Sequence, residues 1–129
     1  MDKQFFIDFL DAYNECWYEK DLERLKTFYV DELIYFDNHK GITGNDTYTL
    51  DEYIVLLKDF FTNGKTTESG GVEPLIIENF EVFSKEDSAC LCYLAMYKSC
   101  PTPKVRCSIY LEKRENEWKI CHIHCSFEP

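Results

Sequence analysis

The stretch that most constrains this chain is Trp118-Lys119-Ile120-Cys121-His122-Ile123-His124-Cys125-Ser126. An extended segment sends alternate side chains to opposite faces. Strict alternation predicts Trp118, Ile120, His122, His124 and Ser126 on one face and Lys119, Cys121, Ile123 and Cys125 on the other. Neither set reads as a solvated surface. The strand is therefore expected to be covered on both sides, by helices on one and by further protein on the other.

The rest of the chain supplies those helices and the neighbouring strands. From about Lys3 to Tyr18, Phe5, Phe6, Phe9, Leu10, Tyr13, Cys16 and Trp17 recur at helical spacing. Asp21 can cap a second, short helix with Leu22, Leu25 and Phe28 as its buried stripe. Leu33 to Asp37 reads as a strand opening into a polar connection with His39, Gly41 and Gly44. Thr49 and Glu52 have capping-box spacing, so a third helix is expected through Tyr53, Ile54, Leu57 and Phe61, ending at Asn63-Gly64. Val55 and Leu56 widen its apolar side. After a linker at Thr66 to Gly71, four alternating segments follow at about 72–83, 88–98, 104–113 and 117–126. The alternation of the first shifts around Glu78-Asn79, which predicts a bulge. Pro101-Thr102-Pro103 reads as a turn. Helices first and a meander afterwards give α+β, one domain over residues 1–129, with helices on one face of a curved, mainly antiparallel sheet.

Composition excludes several classes of function. The formal charge is -10, which repels phosphate backbones and argues against nucleic acid as a partner. No apolar run approaches the ~20 residues of a membrane helix. The beginning, Met1-Asp2-Lys3-Gln4, lacks the basic-then-apolar pattern of a secretory signal. A cytoplasmic protein is expected. Seven cysteines with no Cys-x-x-Cys pair are read as free thiols used as small hydrophobes, with Cys16, Cys90, Cys92 and Cys107 inside apolar patterns.

The element order, the strand Asp87-Ser88-Ala89-Cys90-Leu91-Cys92-Tyr93-Leu94 and the stretch from Asn116 to Ser126 resemble the nuclear transport factor 2-like superfamily. SnoaL-like domains belong to it, and so does the association (hub) domain of calcium/calmodulin-dependent protein kinase II. The resemblance implies a cone: a curved sheet wraps the helices around a pocket, and members commonly dimerise through the outer face of the sheet. The buried arginines of the hub pocket match Ala95, Ile109 and Cys125 here, so its taste for acidic ligands does not carry over. On this reading Leu91, Tyr93, Ala95, Cys107, Ile109, Cys121, Ile123 and Cys125 line a mostly apolar pocket. Leu94, Met96, Trp118, Ile120, His122 and His124 form the interface.

Asp37 and His39 are the acid–base candidates, at and just beyond a strand end where the cone would open. The plainer reading is that Asp37 and Asn38 make the turn. Tyr93, Tyr97 and Tyr110 could donate hydroxyls to a ligand, or simply pack as strand residues. His122 and His124 share a face roughly 6.6 Å apart while Cys121 and Cys125 point away, so no metal site is expected. No cofactor motif is present. The function expected is a non-catalytic oligomerising module whose pocket binds a small apolar molecule, with itself as partner. The alternative is a small isomerase, dehydratase or hydrolase that uses Asp37 and His39.

Overall fold

A computed structural model describes residues 2–32, 34–38, 45–63 and 74–127. Helix α1 (Lys3–Tyr18) starts where the Asp2 carboxylate accepts the Phe5 N–H at 2.9 Å. Its inward stripe is Phe6, Leu10, Tyr13 and Cys16, stepping by three or four residues. Asp21 caps α2 (Leu22–Lys26) by accepting from Arg24 N at 3.2 Å. Strands β1 (Ile34–Asn38) and β2 (Asn45–Tyr48) follow. The predicted capping box starts α3 (Leu50–Asn63): Thr49 N–H donates to Glu52 at 2.9 Å, and Glu52 N–H to Thr49 Oγ1 at 3.2 Å. Then come β3 (Ile76–Ser84), β4 (Ser88–Tyr97), β5 (Cys100–Arg114) and β6 (Glu117–Phe127).

The strands form one curved sheet in the order β2-β1-β6-β5-β4-β3. All neighbours are antiparallel except β1 and β6, which run parallel. The last strand thus lies inside the sheet, as its apolar faces require. Just before β1 the chain already follows β6: Ile120 N–H donates to Phe28 O at 2.7 Å and Val30 N–H to Ile120 O at 3.1 Å. One face carries the core, where Phe6 meets Trp118 edge to face with ring centres 5.2 Å apart. Among the described residues, no helix is long and apolar enough to cross a membrane. The predicted linker at 66–71 lies outside the described residues.

Local chemistry explains most differences from the sequence reading. The Glu78-Asn79 bulge is present: pairing with β4 shifts between Glu78 and Glu81, and Asn79 takes φ 54, a left-handed conformation that asparagine tolerates. Strand β2 is a short polar edge strand with none of the alternation that marks a half-buried one. Pro101, Thr102 and Pro103 lie inside β5 instead of turning; the chain turns at Lys98-Ser99. Prolines are tolerated there because β6 pairs with β5 only from Val105 onward. Val55 is 71% exposed, so the apolar side of α3 is narrower than expected.

The largest correction concerns β6. Leu111 pairs with Ile120 but Tyr110 pairs with His122, leaving Cys121 as an extra residue. This bulge reverses the alternation. Trp118 and Ile120 therefore point into the core together with Ile123, at 6%, 0% and 7% exposure. They are not interface residues. Only His122 and His124, of the strand's four predicted interface residues, share the outer face with Tyr110 and Ser108.

Candidate functional site

Pairing across β4, β5 and β6 sorts the core face into rows. Leu91, Ile109 and Ile123 stand side by side, and Tyr93, Cys107 and Cys125 form the next row. Ala95 follows, beside Val105. Directly paired residues share a face, and all of these pack in or against one core cluster. Cys121, predicted among them by strict alternation, is the bulged residue. It is half-buried beside Glu112, and burial first, then that carboxylate, pushes its thiol up to about 11.

Phenols converge on this face from the helical side. Tyr13 on α1 and Tyr29 after α2 bring their hydroxyls to 2.5 Å. Tyr53 on α3 packs edge to face on Tyr29, ring centres 5.2 Å apart, and Tyr48 of β2 stands 6.3 Å from Tyr53. Tyr93 is hydrogen-bonded to Cys107, whose sulfur lies 3.5 Å from that of Cys125. Tyr13 also feels both thiols electrostatically. The result is a cluster of phenols and thiols in an otherwise hydrocarbon interior. Tyr93, Cys107 and Cys125 were expected there, whereas Tyr13, Tyr29 and Tyr53 were not. Their signal was available in part: a tyrosine on the buried stripe of a helix needs a partner for its hydroxyl.

Burial raises Tyr13, Tyr29, Tyr53 and Tyr93 above the ordinary phenol pKa. Cys107 is raised by its bond with Cys125 and then by burial. Cys125 moves the other way, because its hydrogen bond with Cys107 outweighs the opposing effect of burial. A phenol whose folded pKa exceeds its unfolded value, about 10, contributes stability that is intact below that pH. The contribution is lost as pH rises towards the folded value. These four tyrosines are therefore expected to ionise only on unfolding. In an alkaline titration their tyrosinate absorbance should appear together with loss of near-ultraviolet dichroism. Gradual ionisation of all nine tyrosines near pH ~10 with the dichroism intact would mean that water reaches the cluster.

The other candidates stand apart from the cluster. Position 37 pairs with His124 of β6 and with Asn45 of β2, whereas Phe36 and Asn38 are level with Ile123 and Cys125. Asp37 is thus in the row of the outer-face His124. Its side chain and the whole of His39 lie outside the described residues. Leu94 is half-buried on the outer face, and Met96 is buried at 9% exposure. Tyr110 faces outward and donates to Glu112 at 3.2 Å. Cys90 and Cys92, expected as core filler, are half-buried on this same outer face. Among the described residues no group of three or more His, Cys, Asp or Glu could hold a metal ion. An open depression of about 530 Å³ lies elsewhere, between Phe9, Phe28 and Trp118 under a rim of Lys26, Lys119 and Glu117.

Solved structures share this fold at low sequence identity. An NTF2-like protein of unknown function from Pseudomonas putida superposes with TM-score 0.71 at 15% identity, covering 96% of this chain and 84% of that one. A candidate calcium/calmodulin dependent protein kinase II association domain from Xanthomonas campestris gives 0.68 at 15% identity, covering 100% and 89%. A candidate ketosteroid isomerase from Parabacteroides distasonis gives 0.68 at 14% identity, covering 93% and 85%. No curated protein matches the chain. The family model for the SnoaL-like domain matches residues 7–128, and with the nuclear transport factor 2-like arrangement of helices and sheet, the chain belongs to the SnoaL-like domain family.

Proposed function

We propose that this domain is a non-catalytic module that assembles with its own copies and holds a small apolar molecule against the core face of β4, β5 and β6. One observation carries the preference over an enzyme. Among the described residues no carboxylate, histidine, lysine or arginine is buried; apart from Asn14, the polar groups of the core are phenols, thiols and the Trp118 indole. Acid–base catalysis works best with a group whose pKa lies near the working pH. Phenols driven upward by burial are instead neutral donors, suited to orienting an apolar ligand that carries a single oxygen.

Assembly is supported by the outer face of the sheet. It exposes Phe83, Ile76 and Tyr110 at 67%, 41% and 36%, in rows with Cys90, Met96 and His122. An antiparallel sheet with helices on one side ordinarily shows water a polar second face. One structural neighbour is a candidate association domain, which supports assembly as the use of the fold without indicating the surface.

The acid–base alternative draws on one fact, the pairing of Asp37 with His124, which sets a carboxylate residue beside an imidazole residue. Since this fold hosts both classes, the test is direct. The purified protein is incubated with a ketosteroid isomerisation substrate, the chemistry named for one structural neighbour, and compared with Asp37→Asn. Binding without turnover, equal in both proteins, is the expected result. Turnover that falls by orders of magnitude in a folded Asp37→Asn protein would replace the binding reading with the enzymatic one.

A further inference from the structure

We infer that Cys107 and Cys125 form a redox modification site, in which hydrogen peroxide, small enough to reach the core face, converts the two thiols into a cross-strand disulfide that a thiol reductant reopens. The two residues are direct partners on the antiparallel strands β5 and β6. Both thiols are free, and their sulfurs lie 3.5 Å apart. Antiparallel partners have Cα atoms about 4.5–5.5 Å apart, inside the 4.4–6.8 Å that a disulfide spans. Side-chain rotation alone can close the bond. The outer-face pair Cys90 and Cys92 also brings its sulfurs close, to 3.8 Å. However, these residues sit two apart on one strand, so their Cα atoms are separated by roughly 6.6 Å with parallel side chains, at the limit of what a disulfide allows.

The chemistry has a direction. Cys125 is half-buried whereas Cys107 is buried, so an oxidant entering from solvent meets the Cys125 sulfur before that of Cys107. Cys125 therefore attacks first: its sulfur bonds to one peroxide oxygen and the O–O bond breaks. The leaving oxygen departs as water with the proton released by Cys125. The Cys107 sulfur then attacks the resulting sulfenic acid. The S–S bond forms, the S–O bond breaks, and the oxygen leaves as a second water carrying the Cys107 proton. Each sulfur gives up one electron and the peroxide accepts both. Closure also ties the Cys107 sulfur, which accepts from the Tyr93 hydroxyl, into the S–S bond, so oxidation alters the polar row on the core face itself.

The test uses the full chain, reduced, desalted and exposed to hydrogen peroxide, then unfolded, alkylated and mapped by mass spectrometry. The expected product is a Cys107–Cys125 linked peptide pair lighter by two hydrogens, with both residues protected from alkylation until dithiothreitol is added. Cys107→Ala should leave a sulfenic acid on Cys125 that dimedone traps, whereas Cys125→Ala should leave Cys107 alkylated. Near-ultraviolet dichroism before oxidation establishes that each protein is folded. If a variant does not fold, the wild-type map decides alone. Full alkylation of Cys107 and Cys125, while peroxide consumes Cys90, Cys92 or Cys121, would overturn the assignment. Links between chains in place of the internal pair would do the same.

Discussion

Light scattering at micromolar concentration is expected to show twice the 15.4 kDa chain mass, and Leu94→Glu is expected to return the protein to a monomer. Leu94 lies on the outer face of the sheet between Glu78 of β3 and Arg106 of β5, already half-buried within one chain. A second copy would complete its burial. A carboxylate enclosed there loses its hydration between Glu78 and Arg106, with only the latter to offset the loss, at a cost of roughly 3 kcal/mol, or about two orders of magnitude in dissociation constant. The change leaves the core untouched, so the denaturation midpoint of the monomer should move little. Arg106 is exposed beside Ser126, and its mixture with Tyr110 and Phe83 has the composition of a protein interface. A clean monomer in the unmodified protein at micromolar concentration would remove the outer face as an assembly surface.

The second large effect is expected on the opposite face. Ile109 is 1% exposed and stands between Leu91 and Ile123 in the middle of the core face. Among the described residues no buried carboxylate could pair with a guanidinium there. Ile109→Arg should therefore cost several kcal/mol, on the order of 3–5, against a total stability of roughly 5–15 kcal/mol for a domain of ordinary stability. Urea denaturation should show a protein largely unfolded or with a strongly lowered midpoint. Ile109→Val removes one methylene and should cost about 0.5–1.5 kcal/mol. The adjacent Tyr110→Arg, on the outer face, serves as the control and should leave the midpoint of the isolated chain nearly unchanged. An Ile109→Arg protein with the parent midpoint would mean that residue 109 does not face the core.

The two variants test the feature on which the site depends, the two-sided character of β4, β5 and β6. On β4 that character was legible from residues alone. Leu91, Tyr93 and Ala95 alternate with Cys90, Cys92 and Leu94 over an unbroken run, and period-two patterning is the strongest signal a strand can give. The helices were equally legible, because Asp21, Thr49 and Glu52 carry local capping chemistry that acts within three residues. The Glu78-Asn79 bulge announced itself by a break in alternation.

The bulge at Cys121 did not, and the reason is physical. Trp118, Ile120, Cys121, His122, Ile123, His124 and Cys125 can all be partly or wholly buried, so no polar residue marks where the faces exchange. Only pairing with Leu111 and Tyr110 on β5 decides it. The phenol cluster was out of reach for a related reason. Tyr13, Tyr29 and Tyr53 come from three segments, and their meeting depends on how α1 and α3 seat on the sheet. Capping and alternation are local interactions, so the amino-acid sequence by itself determined the α+β class, the helices, the principal strands and the inward row of β4. Register and helix seating are settled by contacts between residues distant in sequence. Only the tertiary structure therefore decided that Trp118 and Ile120 belong to the core, that Asp37 is level with His124, and that Cys107 and Cys125 stand sulfur to sulfur.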